Sequence, residues 1–293
     1  MAPAATLVDV RVYDAAYPAD PTQVGVEPGR VAAGLRWVAR NAGRRHIVVV
    51  AVPLAVPPSD ELEAAVRAVQ RAGPRGVVVV APTGNRPTEA DPLFDRFGTY
   101  RPGEDAAAAV FPAGYDDVVG ANAPADGEPE ATDDTNVTDV VLQSSATDVA
   151  APTYGGISVG LNGSTCVLST VDTALATAEV AGVVAMLRAR FPEDDASRIV
   201  RRLLGTASGR MDERTPLLGA GVVQPVEALT RPLPQPGEAA RVSAGAPSGR
   251  AEAPARLEDG RALARRQALW WGLLGGGALV LALVLRPVLG RRQ

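Results

Sequence analysis

The stretch SDELEAAVRAVQRAGPRGVVVVAPTGN, from Ser59 to Asn85, joins an amphipathic helix to an apolar strand. Ser59 is a suitable N-terminal cap and Gly73 a suitable helix end, and apolar residues recur between them at helical spacing. The four consecutive valines at positions 77–80 are typical of a strand that is covered on both faces. The stretch therefore predicts one helix and one strand of a parallel sheet.

The same alternation continues on both sides of this stretch. Strands are predicted at TLVDVRVYD (6–14) and HIVVVAVPL (46–54), with a helix between them at GRVAAGLRWVARNAG (29–43). DDVVGANA (116–123) and TDVVLQ (138–143) have the pattern of shorter strands at a sheet edge or in a flap. The fold class expected from this order is α/β, with a parallel sheet and helices on both of its faces.

The character of the chain changes after residue 230. Residues 1–230 form the expected globular domain, whereas residues 231–266 are rich in proline, glycine, alanine and charge and form a linker. An uncharged run of 18 residues, 268–285, would be roughly 27 Å long as a helix, close to the thickness of the hydrocarbon core of a bilayer. We therefore expect a transmembrane helix at 267–286, followed by a short basic tail at 287–293.

The composition excludes several classes of function. A net charge of −4 without a basic patch argues against a nucleic-acid partner. The single cysteine, Cys166, and the single histidine, His46, exclude a disulfide framework and a Cys/His zinc site, so no metal or cofactor is expected. Cys166 is predicted to be a small buried residue, and His46 a strand-end residue rather than a general base. The acidic run from Ala125 to Asp134 is interpreted as a solvated loop rather than a cation site.

Several stretches in a common order carry a family resemblance. APAATLVDVRVYD (2–14), the helix and strand at 59–85, FPAGYDDVVGANA (111–123), TDVAAP (147–152) and GAGVVQPVEALT (219–230) resemble segments of the subtilisin-like serine proteases. Among these subtilases, or peptidases of family S8, the chain most resembles the mycosins of type VII secretion systems. The resemblance implies a subtilisin-like sheet that lacks its N-terminal part, and it places Asn85 at the oxyanion-hole position.

The helix VDTALATAEVAGVVAMLRARFP (171–192) resembles the helix that begins with the nucleophile of the family, Gly-Thr-Ser-x-Ala-x-Pro. Aligned through this helix, Asp172 takes the place of the glycine, Thr173 of the threonine, Ala174 of the serine and Ala178 of the proline. Alanine has no oxygen that could attack a carbonyl group. A carboxylate at Asp172 would cap the helix but would place negative charge where an oxyanion must form.

The catalytic aspartate and histidine of the family precede the part that this chain matches, and neither Asp9 nor His46 falls on their positions. We therefore expect the native protein to begin upstream of Met1, with a signal peptide. The resemblance implies a membrane-anchored homologue that is associated with a type VII secretion membrane complex and lies outside the cytoplasmic membrane. It would have a structural or peptide-binding role without proteolysis, and would need no cofactor.

Two alternatives remain open from the sequence. The chain could be an active serine endopeptidase if a shifted register presented another hydroxyl group before the helix, at Ser164, Thr165, Ser169 or Thr170. It could also be a gene fragment that forms no stable fold, because missing strands would leave sheet edges unpaired.

Overall fold

The structure is a computed structural model that describes residues 2–15, 18, 20–87, 95–124, 137–160, 162–209, 214–232 and 276. The chain divides into two units, Met1–Leu233 and Pro234–Gln293. The first unit contains almost all of the described residues. In the second unit only Gly276 is described, as helical and exposed.

The centre of the first unit is a parallel sheet of four strands. These are β1 (Val49–Ala51), β2 (Val78–Pro82), β3 (Val118–Asn122) and β4 (Val149–Ala150), and they lie side by side in chain order. All residues of β2, β3 and β4 are buried. The prediction of a parallel sheet is therefore confirmed.

One prediction within the sheet is wrong, because DDVVGANA forms the inner strand β3 rather than an edge or flap. Its small residues allow the next segment to pack closely: a Cβ added to Gly120 would lie 2.0 Å from the carbonyl oxygen of Ala146. TDVVLQ forms no strand, but a short 3₁₀ turn at Val137–Asp139 and a single bridge between Val141 and Asn85.

Helices cover both faces of the sheet, as predicted. On one face, α1 (Pro28–Arg45) and α2 (Asp60–Gln70) pack against a cluster that includes Val79 and Ala81 of β2. Ser59 caps α2, its hydroxyl oxygen accepting a hydrogen bond from the backbone N–H of Leu62 at 3.2 Å. The apolar stripe of this helix is buried as the spacing predicts, at Leu62, Val66 and Val69.

On the other face, Val78 and Val80 of β2 pack in a cluster with α3 (Thr173–Arg190), α4 (Ala196–Gly205) and α5 (Pro225–Thr230). Alternate residues of the same strand thus face opposite helical layers, because side chains alternate along a strand. This double burial explains why the sequence of β2 is apolar without interruption.

The two most N-terminal strand predictions need correction. TLVDVRVYD forms no strand: Leu7 is 92% exposed, while Val10 and Val12 pack against the cluster beneath α1. The close approach depends on Gly34 of α1, where a Cβ would lie 2.6 Å from Val12 Cγ1. HIVVVAVPL contributes only the three residues of β1, which are partly exposed because β1 lies at the edge of the sheet.

The predictions for the single histidine and the single cysteine are also wrong in part. His46 is exposed and ends α1 in the left-handed conformation, with φ of 51°, so it belongs to a helix end rather than a strand. Cys166 is half-buried rather than buried, because it lies in a small antiparallel hairpin of β5 (Ile157–Val159) and β6 (Thr165–Val167). The outer side of this hairpin is exposed.

Two other predictions concern segments outside the described residues, namely the acidic loop at 125–134 and, apart from Gly276, the transmembrane helix at 267–286. Among the residues that the structure describes, no helix has the length and apolar character needed to cross a membrane.

Candidate functional site

The site lies where the loop after β2 meets the first turn of α3. Gly84 turns the chain at the carboxyl end of β2 with φ of 111°, and a Cβ there would approach Leu142 Cδ1 to 2.9 Å. A glycine is needed because this conformation is strained for other residues and the neighbouring side chain is close. The turn brings the side chain of Asn85 to the N-terminus of α3.

Asn85 is held by the residues that begin α3. Its Oδ1 accepts hydrogen bonds from the backbone N–H and from the hydroxyl of Thr173, both at 2.9 Å. Its Nδ2 donates to Asp172 Oδ1 at 3.1 Å. The orientation of the amide follows from these partners, since the oxygen must face the backbone N–H.

Asp172 is the N-terminal cap of α3. The same Oδ1 that accepts from Asn85 also accepts from the backbone N–H of Ala174 at 2.7 Å. A single carboxylate oxygen therefore accepts one hydrogen bond from a side-chain amide and one from a backbone N–H at the helix N-terminus. These are the two kinds of donor that build an oxyanion hole. The negative charge also lies at the positive end of the helix dipole, which stabilises the helix.

The residues around this cap point their polar groups inward. Thr173 is buried, and its hydroxyl is bonded to Asn85. The buried Thr153 accepts from the backbone N–H of Asp172 and donates to the carbonyl oxygen of Thr170, both at 3.1 Å. Ala174 is partly exposed and presents only a methyl group, and Ala178, one turn further on, is exposed.

The loop is anchored by Arg86, the residue after Asn85. Its guanidinium forms a buried ion pair with Glu104. It also donates to the carbonyl oxygens of Phe97 and Thr138, at 2.6 Å each. Arg86 therefore ties three segments together behind Asn85. The sequence does not predict this pair. Its one signal is an arginine directly after the Gly-Asn turn, and the glutamate lies in a different segment of the chain.

The structure does not bring the alternative hydroxyl residues into a catalytic arrangement. Ser164 lies in the turn of the β5–β6 hairpin and donates to Asn162 Oδ1 at 2.6 Å, and Thr165 begins β6. Ser169 and Thr170 are exposed in the segment between β6 and α3.

The histidine does not lie beside Asn85. His46 precedes the amino end of β1, whereas Asn85 follows the carboxyl end of β2. Because the strands of a parallel sheet run in the same direction, the amino end of β1 and the carboxyl end of β2 lie at opposite ends of the strands. Asp9, in the N-terminal segment, is exposed.

One titratable group lies further along α3. Glu179 is half-buried next to the base of the hairpin, where a Cβ on Gly156 would lie 3.4 Å from its Oε1. Burial raises the pKa of the Glu179 carboxyl above its usual value, because the charged form loses contact with water.

Comparison with known proteins identifies the fold that carries this site. The model of the subtilase family, peptidase S8, matches residues 15–231. The chain belongs to the subtilase family. Mycosin-4 of Mycobacterium tuberculosis is 29% identical over 248 residues, which cover 82% of this chain and 54% of Mycosin-4. This subtilase thus spans about half the length of that relative.

Solved structures support the same fold. A crystal structure of MycP1 without its N-terminal propeptide gives a TM-score of 0.51 at 22% identity, covering 71% of this chain and 68% of that chain. A structure of the periplasmic assembly of the ESX-5 inner membrane complex contains a chain that gives a TM-score of 0.53 at 21% identity, covering 78% of this chain and 56% of that one. The chain is therefore a mycosin-like subtilase.

Proposed function

We propose that this subtilase is a catalytically inactive, membrane-anchored component of a type VII secretion membrane complex. Its domain lies outside the cytoplasmic membrane and contributes a structural contact or binds a peptide without cleaving it. The observation that carries the proposal is that Asp172 Oδ1 takes hydrogen bonds from both Asn85 Nδ2 and the N–H of Ala174.

Catalysis by a subtilase needs an attacking hydroxyl group and hydrogen-bond donors that are already placed to stabilise the developing oxyanion. Ala174 supplies no hydroxyl, and the two donors beside it are already bonded to a carboxylate of the same chain. In subtilisin itself, loss of the serine or the histidine alone lowers turnover by about a millionfold. Both changes at the start of α3 therefore favour a stable helix over acyl transfer.

A fluorophosphonate probe tests for an active nucleophile. The full-length protein, purified from membranes in detergent, is expected to show no covalent adduct by mass spectrometry, while an active subtilisin treated alongside it is labelled. Ala174→Ser is expected to stay unlabelled too, because the carboxylate of Asp172 still occupies the two donors that an oxyanion would need. An adduct on any residue of the unmodified chain would show that it is an active hydrolase.

The similarity to mycosins supports the place of the protein in a secretion complex. The test is purification of the tagged full-length chain from membranes of its own host, followed by identification of the proteins that migrate with it on a native gel. We expect the membrane subunits of a type VII system in one complex with the chain. A chain that migrates alone, with those subunits present elsewhere on the gel, would contradict this part of the proposal.

The anchor and the side of the membrane can be tested with the single cysteine. Cys166 lies in the hairpin of the domain and is half-buried, so a membrane-impermeant maleimide should label it in intact cells if the domain is outside. The Cys166→Ser variant is the control for background labelling. Placing one cysteine in the basic tail of that variant, by Arg291→Cys, should give labelling only after permeabilisation. The reverse pattern would place the domain in the cytoplasm.

A further inference from the structure

A groove of about 440 Å³ lies at the opposite end of α3 from the site described above. Three arginines line it, Arg190 at the end of α3, Arg202 of α4 and Arg231 just after α5, together with apolar surface from Phe191, Leu229 and Pro232. The groove therefore combines cationic groups with an apolar wall.

Arg202 is buried, yet its hydrogen-bonding capacity is only partly used. One terminal nitrogen donates to the carbonyl oxygen of Arg231 at 2.9 Å, and the other lies 3.8 Å from Asp194 Oδ2, too far for a hydrogen bond. Its Nε has no hydrogen-bond partner among the residues that the structure describes. The flat guanidinium lies over the ring of Phe191, with Cζ 3.7 Å from the ring centroid. A buried arginine held in place in this way is already oriented for a further acceptor.

The acidic group beside Arg202 does not balance the charge of the groove. Asp194 is shared, because its Oδ1 also pairs with Arg198 Nε at 3.0 Å. Within the part of the chain that the structure describes, Arg190 and Arg231 form no ion pair, and both are exposed. The groove thus keeps a positive charge that is open to solvent.

We propose that this groove binds the phosphate group of an anionic phospholipid, with the neighbouring glycerol and first acyl carbons against Leu229 and Pro232. Guanidinium groups match phosphate oxygens in geometry and in charge, and the apolar wall suits an ester rather than a free inorganic anion. The chain leaves the groove at Pro232 and continues into the linker that leads to the uncharged run 268–285. The choice of a lipid as the source of the phosphate rests on the membrane anchoring proposed above.

The test is calorimetric titration of the full-length protein in a neutral detergent with dihexanoyl phosphatidylglycerol. The unmodified protein is expected to give saturable binding, and Arg231→Gln to weaken it by about tenfold, because one charge-assisted contact is lost. Arg201→Gln is the matched control, since it removes the same charge from an exposed position of α4 that does not line the groove, and its affinity should stay within about twofold.

Further titrations distinguish between the possible ligands of the groove. Arg202→Gln, if its thermal unfolding remains cooperative, should abolish binding. Equal affinities of Arg231→Gln and Arg201→Gln, or no saturable binding at all, would overturn the site. If inorganic phosphate bound as tightly as the lipid and lost the same affinity in Arg231→Gln, the phosphate site would be supported but the lipid would be ruled out as its source. A phosphopeptide that bound more tightly than the lipid would have the same meaning. None of these titrations depends on which side of the membrane the domain occupies or on hydrolase activity.

Discussion

The polar groups at the two ends of helix α3 differ in how fully they are hydrogen-bonded within the chain. At the N-terminus, the donors of Asn85, Thr173 and Ala174 are satisfied by partners within the chain. Near the C-terminus, Arg202 of α4 has a nitrogen without a hydrogen-bond partner in the described part of the chain, and the exposed Arg190 and Arg231 line an open groove. The resemblance to proteases points to the first end, whereas the cationic groups that could bind a ligand lie at the second.

The largest expected effect is at the anchor behind the N-terminal site. Arg86→Ala would leave the buried carboxylate of Glu104 without its counter-charge. Breaking a buried ion pair by removing one partner costs about 3–5 kcal/mol of unfolding free energy. Urea denaturation of the unmodified and variant proteins measures this loss.

The exposed pair of Arg67 and Glu63 on α2 provides a control for this prediction. Arg67→Ala is expected to cost only about 0.3–0.5 kcal/mol, as is usual for exposed pairs four residues apart on a helix. If Arg86→Ala and Arg67→Ala destabilised the protein equally, the loop of Asn85 would not depend on the buried pair. The double variant Arg86→Ala/Glu104→Ala should recover part of the loss, because no unpaired charge is then left buried.

A smaller effect is expected at the cap itself. Asp172→Ala removes the acceptor for the N–H of Ala174 and for Asn85, and loss of a helix cap typically costs about 1 kcal/mol. Asp172→Asn should cost less, because the side-chain oxygen is kept. The same urea denaturation measures both variants.

Asp195 at the start of α4 gives the comparison for this cap. It accepts from the backbone N–H of Arg198 at 2.8 Å and from the hydroxyl of Ser197, but from no asparagine among the described residues. Asp195→Ala should therefore cost less than Asp172→Ala. Equal costs would mean that the bond from Asn85 to Asp172 contributes no more to stability than the bond from Ser197 to Asp195.

The sequence predicts much of this arrangement where local chemistry decides it. The valine run of β2, the cap at Ser59 and the start of α3 at Asp172 follow from burial patterns and capping rules, and the structure agrees with them. The family resemblance adds the positions of Asn85 and Ala174, which the structure brings to one place through the turn at Gly84.

The remainder depends on contacts between distant segments. Nothing in DDVVGANA shows that it becomes an inner strand, because its neighbours β2 and β4 are set by tertiary packing. The pair of Arg86 and Glu104 and the groove at Arg202 likewise join residues from separate elements. TLVDVRVYD has a strand pattern, but Val10 and Val12 pack against α1 instead of pairing in the sheet.

The smallest effect concerns Glu179, which lies on α3 between the two ends. Its pKa is raised in the folded protein because burial disfavours the charged form, so the folded state holds this proton more tightly than the unfolded chain does. The stability that this group contributes is present below its usual pKa of 4.5 and is lost as the pH rises through the folded value. Glu179→Gln removes this dependence. The variant and the unmodified protein should differ little at about pH 4, and the variant should be the more stable of the two at about pH 7.

Urea denaturation at a series of pH values measures this difference, with Glu193→Gln as the control for the loss of one acidic charge, since the Glu193 side chain is 83% exposed. A glutamine at position 179 that destabilises the protein more as the pH rises would show that the carboxylate is stabilised in the folded state. In that case favourable contacts of the charged carboxylate, rather than its burial, would decide what Glu179 contributes to stability.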